Sequence, residues 1–143
     1  MGLAAVGHPQ LADSLTIVRL TLHVLAATVW VGGQFTVLGL LPTLRRLGGD
    51  APRLAAQAFG RLSWPAYWLL VATGVWNYVA ISPSHASGAW AGAFGAKMTF
   101  VAVAGAGAYM HTKATSAKAR GIYAGVGTIG SILALVLGVA LSG

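Results

Sequence analysis

The sequence predicts an all-α integral membrane protein, a four-helix bundle with both termini outside, and three observations carry that prediction. The composition is 57% hydrophobic and only 8% charged, with mean hydropathy +0.75, where a water-soluble domain would be about one quarter charged. Four apolar runs are each long enough, or nearly so, for the ~20 residues a bilayer requires. Seven of the nine basic residues fall in the first and third connections between those runs, while the second connection is neutral, which is the positive-inside pattern.

Span one covers 15–41, with Asp13 or Ser14 as N-cap and Pro42 as its end. Arg45-Arg46-Leu47-Gly48-Gly49 reads as a helix stop, and Asp50-Ala51-Pro52 as a new cap with proline in the first turn. An amphipathic lead-in, 52–61, precedes span two at 62–81, where Pro65 is placed to kink the start. Ser82-Pro83-Ser84-His85-Ala86-Ser87-Gly88 is a turn-forming loop. Span three covers 93–110 and span four 122–141, joined by a segment carrying Lys113, Lys118 and Arg120. Span four reads as structural, with Gly121 and Gly125 as a small-xxx-small packing row and Thr128 and Ser131 as its only central polar side chains. The chain forms one domain, 1–143, of a multi-pass protein of a bacterial-type plasma (inner) membrane.

The same features exclude several function classes. The net charge of +7 lies in short connections rather than on a continuous surface, so nucleic acid is not an expected partner. The absence of cysteine excludes disulfides, thiolate metal sites and thiol catalysis. Asp13 and Asp50 are the only acidic residues and both lie outside the spans, so carboxylate acid–base catalysis has no residues to use.

Polar residues inside the apolar runs point to the site. Arg19, His23, Trp30 and Gln34 share one face of span one at 3.6 residues per turn. An ionisable side chain in hydrocarbon is costly unless it faces protein or water, so His23 marks a site. Lys97 and His111 share a face of span three that is otherwise lined by small residues, and Thr73 and Asn77 lie one turn apart on span two. Depth decides which of these meet. His23 lies ~12 Å below the outer end of span one, in a layer with Arg19, Asn77 and Lys97, whereas His111 lies ~21 Å below Lys97. That leaves His23 and His111 roughly 10 Å apart in depth, too far for one metal ion. The expected site is therefore His23, Asn77, Lys97 and Arg19, with His85 reaching it from the loop and His111 serving a second metal site. Trp64, Tyr67, Trp68, Trp76 and Trp90 read as interfacial belts.

At His23-Val24-Leu25-Ala26-Ala27-Thr28-Val29-Trp30-Val31-Gly32-Gly33, followed by Pro42, Arg45 and Arg46, the chain resembles the CopD family of copper-resistance membrane proteins. Gly95-Ala96-Lys97-Met98 with the later His111 resembles the third helix of the HemJ-type protoporphyrinogen oxidases, four-helix haem proteins. The resemblance implies a membrane domain handling copper or haem, with His23 and Lys97 as the residues at stake. It also implies a redox or copper-delivery protein as partner, with a homo-oligomer among the assemblies compatible with it. Copper(I) favours Cys and Met ligands, and the chain has no cysteine and only Met1, Met98 and Met110. A b-type haem asks instead for an axial side chain, an apolar slot and cations for its propionates. His23, the small-residue face of span three, and Arg19 with Lys97 answer that description. Residue chemistry thus leans to haem and family likeness to copper. A HemJ-like porphyrinogen oxidase and a non-catalytic membrane subunit are the alternative functions.

Overall fold

A computed structural model describes residues 11–81, 84 and 86–142. Its regular structure is helical throughout: α1 (Ser14–Leu47), α2 (Ala51–Ile81), α3 (Gly88–Lys113) and α4 (Ala117–Ala140). Three of them, α1, α3 and α4, are long and apolar enough to cross a membrane. In α2 no charged residue occurs from Leu62 to Ile81, but Pro65, Asn77 and five Trp and Tyr side chains dilute the hydropathy.

Local chemistry sets the helix ends. Asp13, Ser87 and Ser116 cap α1, α3 and α4 by accepting the backbone N–H groups of Thr16, Trp90 and Ala119. Gly48 and Gly49 both take positive φ, 73° and 55°, which glycine alone adopts without strain, and they turn the chain from α1 into α2. Two proline expectations change. Pro42 lies inside α1, which continues to Leu47, and α2 is unbroken from Ala51 through Pro65, so the lead-in and span two are one helix. At ~1.5 Å per residue, α1 and α2 are ~51 Å and ~46 Å long, well beyond a ~30 Å hydrocarbon layer. The end that the two helices share carries Arg45, Arg46, Arg53 and Arg61.

The helices pack as two antiparallel pairs, α1 with α2 and α3 with α4. In the second pair the backbones touch. A Cβ on Gly107 would lie 2.7 Å from the Gly127 nitrogen, and one on Gly130 would lie 3.2 Å from the Ala104 nitrogen. Close approach at small residues is what drives helix pairing where lipid is as apolar as leucine. The seam uses Gly127, Gly130 and Ala134 rather than Gly121 and Gly125, which meet nothing within 4 Å. The reason is rotational. Once Gly127 and Gly130 face Gly107 and Ala104, the Gly121–Gly125 row is turned away.

The exterior is the reverse of a water-soluble protein. Buried positions are small, aromatic or polar, among them Ala26, Trp30, Tyr67, Ala104, Arg19, Thr73 and Ser131. Leu, Ile and Val side chains cover the outside, with Val24, Leu62, Ile129 and Val139 each at least 60% exposed. Such a surface suits hydrocarbon as solvent.

Two outcomes are expected. Gly107→Val should destabilise the α3–α4 pair by about 1–3 kcal/mol through overpacking, read by denaturant unfolding in detergent. Gly39→Ala, where a Cβ meets nothing within 4 Å, is the neutral control. Hydrogen bonds from the Thr16 hydroxyl and then its amide hold the Asp13 carboxyl below the usual carboxylate range. Its capping is therefore fully present above that range and lost as pH falls through the depressed value. The protection factor of the Thr16 amide, its exchange rate relative to the intrinsic rate at the same pH, should fall there, and Asp13→Ser, whose cap does not titrate, should abolish that fall.

Candidate functional site

The α1–α2 interface brings two pairs of polar residues into register. His23 Nδ1 lies 2.7 Å from Thr73 Oγ1, and one turn nearer the start of α1 the Arg19 guanidinium donates to the Asn77 carbonyl at 3.5 Å. The antiparallel register that aligns residue 23 with 73 also aligns 19 with 77, because each step is one helical turn.

The Thr73 hydroxyl bridges the histidine to the α2 backbone. It lies 2.7 Å from the Leu69 carbonyl and 3.3 Å from the Leu70 carbonyl, which can only accept, so its proton points to that backbone and Thr73 Oγ1 accepts from His23 Nδ1. The Leu70 carbonyl also reaches the His23 ring. A chain of this kind, ring N–H to an oriented oxygen, positions histidines that serve as ligands. Gly74 sits beside the ring, where a Cβ would lie 3.6 Å from His23 Cε1.

The charges around this ring are all positive. Arg19 is 9% exposed, and its second contact is a 3.4 Å hydrogen bond to Thr16 Oγ1. Lys97 is half-buried on α3, its Nζ against Gly138 of α4, and lies within Coulombic reach of His23. Neither cation has a carboxylate partner among the described residues. Asp50 pairs with Arg53 at 3.0 Å, and Asp13 accepts from Thr16, reaching Arg19 only through that hydroxyl. Asn77 Oδ1 is buried with no hydrogen-bond partner among the described residues.

Beneath His23 lies an aromatic floor. Trp30 packs on Tyr67 with ring centroids 4.8 Å apart and on Trp64 at 5.9 Å, and Tyr67 donates to the Val101 carbonyl of α3 at 3.0 Å. Gly105 makes that possible, since a Cβ there would overlap the Tyr67 hydroxyl. Trp30 Nε1 donates to Ser131 Oγ of α4 at 2.9 Å, Gln34 Nε2 donates to the same oxygen at 3.3 Å, and Thr128 donates to Gln34 Oε1 at 2.9 Å. Residues Thr28–Gly32 form a π-helical turn, a widened segment frequent at functional sites. It divides the polar face of α1: Arg19 and His23 address α2, while Trp30 and Gln34 also reach α4.

Of the residues expected from sequence, Arg19 meets the Asn77 main-chain carbonyl across α1 and α2, His23 meets Thr73 instead, and Lys97 lies within Coulombic reach of His23. His111 does not join them; its Nδ1 donates to the Arg120 carbonyl at 2.9 Å and ties α3 to the start of α4. His85 lies outside the described residues. No group of three His, Cys, Asp or Glu comes together among the described residues. Trp64 and Tyr67 belong to the interior cluster rather than a belt. Thr73 is the functional residue that sequence reasoning undervalued; its signal is that it lies in an apolar run next to glycine, at the depth of His23. The chain matches no protein-family model, no curated protein and no solved structure.

Ser131→Ala should leave the Trp30 and Gln34 donors without their acceptor and cost about 1–3 kcal/mol, measured by unfolding in detergent and by a shift in tryptophan emission. Unchanged unfolding would show that both donors find other partners.

Proposed function

We propose that this protein is a four-span membrane protein, both termini outside, that binds a b-type haem through His23 in its outer leaflet and serves membrane redox chemistry. The orientation follows from the basic connections at one end of the bundle and the neutral one at the other. The observation that carries the ligand is the His23–Thr73–Leu69 chain, which orients the ring inside an apolar layer and would leave Nε2 as its ligating atom.

Electrostatics separates haem from copper. A divalent metal ion beside Arg19 and Lys97, with no carboxylate to offset it, adds charge to a layer that already lacks anions. A haem brings two propionates into the same layer. His23 would hold the iron, Thr73 would fix the ring plane and tautomer, and Arg19 and Lys97 would offset the carboxylates. Bound haem supplies one-electron chemistry, with axial ligation and surrounding charge tuning its potential. The likeness to CopD and HemJ proteins at His23 and Lys97 supports the same reading.

Purified protein in detergent should show a Soret band that His23→Ala abolishes. Thr73→Val should keep the band but weaken haem affinity about 10- to 100-fold, as loss of an outer-shell partner does. Colourless protein with stoichiometric copper would overturn the haem assignment in favour of copper, and protein binding neither would leave a non-catalytic membrane subunit.

A further inference from the structure

The first three turns of α2 carry two unlike rows side by side. Arg53, Gln57 and Arg61 recur at i, i+4 and i+8 and share one face, with Leu54, Ala58 and Leu62 in the neighbouring row. All six residues are exposed. A third face meets α1, where Phe59 packs so closely on the Gly33 backbone that a Cβ there would overlap its ring. The leucine row continues toward the middle of α2 at Leu69, which is also exposed. Cations are in excess along the other row. Arg53 pairs with Asp50 at 3.0 Å on the exposed surface, where such pairs are weak. Arg61 has no carboxylate partner among the described residues. Arg45 and Arg46 add two exposed guanidinium groups in the last turn of α1, and Leu47 beside them is 73% exposed.

The pairing of an arginine row with a leucine row identifies the partner. An acidic protein or a nucleic acid could answer the arginines, but it would leave Leu54 and Leu62 in water. An anionic phospholipid answers both rows, with phosphate oxygens for the guanidinium forks and an acyl chain for the leucines. Depth agrees. The uncharged run 62–81 spans ~30 Å, the thickness of the hydrocarbon layer, so Arg61 falls at its edge and Leu54 lies ~12 Å beyond. We infer that these two rows of α2 form a site for one anionic phospholipid, its phosphate on Arg53 and Arg61 and an acyl chain along Leu54, Ala58 and Leu62. The site rests on the four-span reading and is independent of the haem.

The test titrates full-length protein in detergent with phosphatidylglycerol and, separately, with phosphatidylcholine of the same chains, counting bound lipid by native mass spectrometry. Wild type should bind one phosphatidylglycerol about 5- to 30-fold more tightly than phosphatidylcholine, the range of one or two arginines at a lipid phosphate. Arg53→Gln with Arg61→Gln should lose that preference while binding phosphatidylcholine as wild type does. Leu54→Ser with Leu62→Ser should weaken both lipids alike. Lys118→Gln with Arg120→Gln removes equal charge from the same end of the bundle on α4 and should leave the preference intact, which separates a site on α2 from the general attraction of a basic surface. Equal binding of the two lipids by wild type, an undiminished preference in the α2 arginine variant, or an equal loss in the α4 variant overturns the site. Leucine variants that bind phosphatidylglycerol as wild type does, with inorganic phosphate or polyglutamate displacing the lipid, overturn it in favour of a free phosphate or an acidic protein. Release of the protein from membranes by alkaline carbonate without detergent would overturn the four-span reading itself.

Discussion

A helix layer clad in Leu, Ile and Val offers no hydrogen bonds, so a polar side chain that enters it must look for its partner on another helix or on its own backbone, and that requirement shapes the bundle. Ser131 illustrates it most fully. Its oxygen receives the Trp30 indole N–H and the Gln34 amide, and its proton goes to the Gly127 carbonyl at 2.8 Å. Every polar capacity at this node is used, and the node ties α4 to α1. With the Tyr67 hydroxyl on the Val101 carbonyl, it joins two helix pairs that otherwise touch through small residues and rings.

The same accounting exposes the layer above. There, among the described residues, Arg19 makes two long hydrogen bonds and Asn77 Oδ1 has no partner. A bundle that satisfies Trp30, Gln34, Thr128 and Ser131 so completely has no general difficulty in pairing polar groups. The unsatisfied residues concentrate in one layer, on facing turns of α1 and α2, with Lys97 at the same depth. Buried polar groups left unsatisfied together in one layer call for an explanation other than loose packing.

The two layers also divide the work of α1. The π turn at Thr28–Gly32 lies between them, so that the half carrying Arg19 and His23 is oriented by α2, while the half carrying Trp30 and Gln34 also meets α4. Trp30, Trp64 and Tyr67 then form a rigid floor under His23. A ligand held above that floor would be separated by close-packed rings from the basic end of the molecule.

The sequence by itself determined the helical class, the number of helices, the capping residue Asp13 and the glycine turn after α1. Those follow from local rules: apolar length, cap chemistry and positive φ at glycine. The continuation of α1 through Pro42 and of α2 through Pro65, the Thr73 partner of His23, the π turn, and the choice of Gly127 and Gly130 over Gly121 and Gly125 were decided only by the tertiary structure. Each depends on the rotation and register of one helix against another, and the periodicity of a single helix carries no information about its neighbour's phase. A threonine on an apolar face becomes a histidine's orienting partner only when the facing helix delivers the ring to its hydroxyl.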